Sequence, residues 1–73
     1  MELTALLEAF IEQQDPETLA ELAETLEDDP RGERLVYLAW RAVYLEDERL
    51  AALLEEAVRE AQTLLEELRR GGP

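Results

Sequence analysis

A chain of 73 residues with 19 Asp and Glu against seven Arg, a formal net charge of −12, has room for one small domain. It disfavours nucleic acid and anionic membranes, because both are bound through clustered Lys and Arg. The absence of Cys, His, Lys, Ser and Asn excludes disulfides, imidazole or thiolate metal sites, and Ser, Cys or Lys nucleophiles. No apolar run approaches the ~20 residues of a membrane span and no signal segment opens the chain, so a soluble protein with no targeting address is expected.

Leu3, Leu6, Leu7, Phe10 and Ile11 recur at i, i+3, i+4, i+7 and i+8, one face of a helix over about residues 2–14. Asp15-Pro16-Glu17 then opens a second helix, about 16–28. Asp15 is suited to cap it, Pro16 fits the first position where its missing N–H is no loss, and Glu17 favours the positive dipole end. Leu19, Leu22, Ala23 and Leu26 form its narrower apolar face. Glu27-Asp28-Asp29-Pro30-Arg31-Gly32 breaks the pattern with turn residues before a third helix, about 31–46. Arg31 and Arg34 stand where the third helix would prefer anions, and the carboxylates of the second helix are their expected partners.

The third segment is apolar nearly all round. Leu35, Leu38, Ala42 and Leu45 line one side, Val36, Ala39 and Val43 the next, and Tyr37, Trp40 and Tyr44 continue round until Arg34 and Arg41 remain. A helix of that kind is expected to be central, with the other helices covering most of its sides. The fourth helix, about 48–70, carries a heptad seam through Leu50, Leu54, Ala57, Ala61, Leu64 and Leu68, reinforced by Leu53, Val58 and Leu65. Glu55 with Arg59 and Glu66 with Arg70 are i, i+4 pairs, Gly71 supplies a left-handed stop, and Gly72-Pro73 reads as a frayed tail. At Glu46-Asp47-Glu48 the same seam runs back to Val43, Trp40 and Val36, which permits one continuous rod and, with it, a dimer. Asp47, a good N-cap and a poor seam residue, favours a tight turn instead. The expected fold is therefore all-α, a compact four-helix bundle of antiparallel helices with short turns.

For chemistry, the carboxylates fall on outward arcs, and a chain this short encloses little volume in which to separate their pKa values. The di-iron signature of a helical bundle requires His, and the two acidic runs lack the spacing and turn glycine of a calcium loop. No catalytic residue, metal or cofactor is expected. The surface with binding character is Arg34, Tyr37, Trp40, Arg41 and Tyr44, residue types that dominate binding hot spots. The competing reading puts the tyrosines over the core edge and pairs the arginines with the first two helices.

Two resemblances follow from these residues. Asp29-Pro30, the helix with Tyr37, Trp40 and Tyr44, and Leu50-Ala51-Ala52-Leu53-Leu54 resemble a tetratricopeptide-type helical hairpin over little more than a third of the chain. Val43-Tyr44 stands where that repeat has Leu-Gly, and no second copy appears at its period of about 34 residues. The repeat implies peptide binding. Asp-Pro at two junctions, Glu, Leu, Ala and Arg filling the helices, Glu-to-Arg pairs and the Gly71-Gly72 stop resemble de novo designed helical proteins more closely. That resemblance implies a scaffold or a protein-interaction module with no catalytic activity, its partner another protein or a second copy. A natural acidic tetratricopeptide-like interaction protein of a GC-rich thermophile and an acidic DNA mimic are the alternatives.

Overall fold

The computed structural model describes residues 2–71; the expected Gly72-Pro73 tail lies outside them. Four α-helices are present among the described residues, with no strand: α1 (Leu3–Gln13), α2 (Pro16–Leu26), α3 (Glu33–Ala42) and α4 (Asp47–Arg69). A 3₁₀ turn at Pro30–Gly32 leads directly into α3. The class is all-α, as the apolar periodicity predicts.

Local chemistry accounts for most of the boundaries. Asp15 Oδ1 accepts from the Thr18 backbone N–H at 3.3 Å, with Pro16 at the start of α2 and Glu17 in its first turn. Asp29 caps the 3₁₀ turn in the same manner, accepting from the Arg31 N–H at 2.9 Å. Gly71 adopts φ 65°, the left-handed conformation expected after α4. At the end of α1 that conformation falls to Gln14, at φ 54°, whose N–H donates to the Phe10 carbonyl.

The joint between the third and fourth helices is a turn, not a rod. Helix α3 ends at Ala42, and Val43 and Tyr44 already belong to the turn. The expected capping role of Asp47 is not what the structure has: Glu46 is the N-cap residue and no side chain caps there. Asp47 itself takes φ 54°, a left-handed conformation that Asp tolerates better than most residues. That one positive φ lets a chain without glycine or proline at the joint turn between α3 and α4.

Leu6, Leu7 and Phe10 of α1, Leu19, Leu22 and Leu26 of α2, and Leu35 and Leu38 of α3 are buried in one cluster with Leu53, Ala57, Val58, Ala61, Leu64 and Leu65 of α4. The apolar face of each helix therefore meets at a shared core. Helix α4 is the longest, and its 23 residues, about 34 Å at 1.5 Å per residue, match the 37 Å long dimension of the molecule.

Helix α3 is not central. Helix α2 packs on α1 and α3, and α4 packs on α1 and α3, so each helix has two main neighbours. For α3 these neighbours cover one side only. Leu35 and Leu38 are sealed, whereas Tyr37, Trp40, Val43 and Tyr44 are 53%, 67%, 76% and 79% exposed. The apolar content of the segment exceeds what two neighbours on one side can cover, and the excess lies on the surface.

Candidate functional site

The five residues singled out in the sequence share the outward half of α3 and its C-terminal turn, but three separate strips divide them. Arg34 leans toward α4, where its Nη2 donates to Glu56 at 3.0 Å and its Nε to Glu60 at 3.3 Å. This corrects the expectation that its partners lie on the first two helices. The reason is topological: α4 packs against α3 and presents Glu56 and Glu60 one turn apart on the side that Arg34 faces. Arg31 likewise pairs locally with Asp29 at 2.7 Å instead of with the second helix. These exposed contacts contribute about 0–1 kcal/mol each and chiefly orient the helices. Arg69 adds a comparable tie from α4 to Glu8 of α1 at 3.2 Å.

Tyr37, Arg41 and Tyr44 form the crest. The Arg41 guanidinium sits 5.8 Å from the Tyr37 ring centroid, a cation–π arrangement worth about 0.5–1 kcal/mol at an exposed site. It holds two long side chains together one turn apart and leaves their outer surfaces in water.

Trp40 belongs to the third strip, on the side of α3 that faces α2. Together with Val36, Ala39 and Val43 it lines one wall of a groove of about 280 Å³, whose other wall is Ala20 and Ala23 of α2. The sequence reasoning missed Val43, Ala20 and Ala23 as surface features. The apolar periodicity places Val43 on a covered flank of the third helix, whereas it is largely exposed. The signal that locates the groove is the pair of small alanines on α2, i and i+3, which cannot fill the space beside α3.

Electrostatically the groove is one-sided. Glu24 and Glu27 stand on its α2 rim, and Asp28, Asp29 and Glu33 continue the acidic line past its lower end beside Val36. No arginine lines either depression.

Thr18 is the one buried polar or charged residue among those described. No group of three or more carboxylates among the described residues is placed to hold a metal ion. No described helix is long and apolar enough to cross a membrane. The two titrating groups with clear shifts, Asp29 and Arg31, shift because they bond to each other. The Arg31 side chain holds the Asp29 carboxyl below the usual carboxylate range, and Asp29 in turn raises the guanidinium. In comparisons with known proteins, no family model, no curated protein and no solved structure matches this chain.

Proposed function

We propose that this protein is a non-catalytic helical interaction module, in which an antiparallel four-helix scaffold presents the outer surface of α3 to a partner protein. The observation that carries the reading is the exposure of four large apolar side chains, Tyr37, Trp40, Val43 and Tyr44, within eight residues of α3 and the turn that follows it. Monomeric soluble proteins rarely leave large apolar side chains contiguous in water, and such patches mark interaction sites. Tyr, Trp and Arg are also the residue types that carry most binding energy where they become buried.

The scaffold part of the proposal rests on short connections. Two residues separate α1 from α2, and four separate α3 from α4. Successive helices that pack on each other across such short turns run in opposite directions. Asp-Pro caps at Asp15 and Asp29 and a sealed Leu-rich core fit the idealised designed proteins that the sequence resembles.

The test is a library of random peptides selected on the wild-type protein and re-screened on the triple variant Tyr37→Ala, Trp40→Ala, Tyr44→Ala. The proposal predicts that the variant stays folded and that selected peptides lose it. Peptides that bind both proteins equally, or a triple variant that unfolds, contradict the proposal.

A further inference from the structure

We infer that the occupant of the α2–α3 groove is a cationic amphipathic helix, its apolar side seated between Ala20, Ala23 and Trp40 and its basic side against Glu24 and Glu27. The inference rests on the reading of the α3 surface as an interaction face and adds the chemistry of the partner.

Shape argues for a helix. The groove runs from Ala20 to Glu27 along α2 and its C-cap and from Val36 to Val43 along α3 and its C-cap. Each wall spans eight residues, about 10 Å or two turns from the first to the last, the spacing of side chains at i, i+3 or i+4, and i+7 on a partner helix. At about 280 Å³ and open to solvent it falls just below the roughly 300–1,000 Å³ of pockets that engulf small molecules. The alanine wall lets a partner's side chains approach the α2 backbone closely. Trp40, two-thirds exposed, has apolar area still to lose. Strand addition requires a sheet edge, and the described residues form no strand.

Charge argues for a cation. Glu24 and Glu27 are part of the groove, and Asp28 and Glu33 extend the acidic rim at one end. The arginines beside the face are engaged elsewhere, Arg31 with Asp29, Arg34 with Glu56 and Glu60 of α4 and Arg41 over the Tyr37 ring, and none of them lines the groove. A second copy of this chain is the poorer occupant. It brings another −12 and would set its own Glu24 and Glu27 near the same rim if the two surfaces met face to face.

The experiment uses the intrinsic fluorescence of Trp40, the one tryptophan of the chain, in the 73-residue protein. It is titrated with a peptide of about 14 residues carrying Leu at i, i+3, i+4 and i+7 and Lys and Arg elsewhere. Three controls accompany it: the same peptide with Gln for the cations, a scrambled peptide of equal charge, and the protein alone over the same concentration range. The expected result is saturable burial of Trp40 by the amphipathic cation. Glu24→Gln with Glu27→Gln should weaken it on the order of tenfold, as two rim pairs would. Ala20→Arg, at an exposed helix position, should weaken it at least as much while circular dichroism stays unchanged. Equal binding of the Gln peptide overturns the cationic partner but leaves an interaction face on α3. Equal binding of the scrambled peptide, or a Glu24/Glu27 variant that binds as well as wild type, overturns seating in the groove. A Trp40 signal that changes with protein concentration alone identifies the second copy as occupant and overturns the inference. No response to any peptide overturns it and counts against the interaction face as well.

Discussion

Gly32 lies directly against Leu26: a Cβ at position 32 would fall 2.5 Å from Leu26 Cβ and 2.8 Å from both of its δ-methyls. The contact joins the end of α2 to the turn that opens α3 and lets α3 approach α2 along the lower end of the groove. Gly32 itself has φ −98°, which any residue adopts, so the glycine is needed for closeness and not for backbone freedom.

The sign of Gly32→Ala therefore separates the two explanations. If only unfolded-chain entropy mattered, alanine would stabilise by about 0.4–1 kcal/mol. The collision with a buried leucine predicts instead a loss of about 1–3 kcal/mol, read from the midpoint of urea denaturation at constant slope.

Burial ranks the aromatic residues as sharply. Phe10 is fully sealed beneath the other helices, and Phe10→Ala should cost about 3–5 kcal/mol through lost burial and the cavity left behind. Trp40→Ala and Tyr44→Ala, each taken singly at exposed positions, should stay within about 0.5 kcal/mol of wild type. Comparable losses at Phe10 and Trp40 in thermal or urea unfolding would contradict the exposed placement of the α3 face.

What could be read from the sequence was local. The Asp15 cap, the Pro30 turn, the Gly71 stop and the core faces of α1 and α2 each depend on residues a few positions apart, and the periodicity specifies them. On α4 the core face is shifted, with Leu50, Leu54 and Leu68 of the expected seam only partly buried and Leu53, Val58 and Leu65 buried beside Ala57, Ala61 and Leu64. The position of α3 depends on how many neighbours it has, and a periodicity reports only how apolar a surface is. Leu35 and Leu38 were recognisable as core on that basis, and the same logic wrongly covered Val43. Arg34 could not be paired from the sequence either, because its partners Glu56 and Glu60 lie 22 and 26 positions away and are brought near only by the turn at Asp47. Of the candidate face, the residue types were legible; its division into an arginine edge, a tyrosine crest and a tryptophan-lined groove was not.

Gln14 carries a backbone cost that substitution can remove. A non-glycine residue at φ 54° pays roughly 1–2 kcal/mol for the left-handed conformation, part of which glycine returns to unfolded-state entropy. Gln14→Gly should raise stability by about 0.5–1 kcal/mol, measured as a shift of the urea midpoint. An unchanged or lowered midpoint would mean that Gln14 is held by something other than its backbone.

Acid acts on the Asp29–Arg31 contact with a definite sign. The folded carboxyl lies below its unfolded value, about 3.9 for Asp, because the Arg31 side chain and backbone donate to the charged form. Its contribution is therefore present above about pH 3.9 and is lost as pH falls through the lower folded value. In a titration of the Asp29 carboxyl followed by NMR, Arg31→Ala should move the midpoint upward. The same midpoint in both proteins would show that the contact is not formed in solution.

The most direct test of the account is quenching of Trp40 in dilute wild-type protein by acrylamide, a neutral quencher indifferent to the net charge of −12. An open α3 face predicts quenching approaching that of tryptophan in water, unchanged on dilution and in a species of 8.4 kDa. A shielded Trp40, with a quenching constant near that of a buried indole, would mean that the face is already covered and that no partner surface is free.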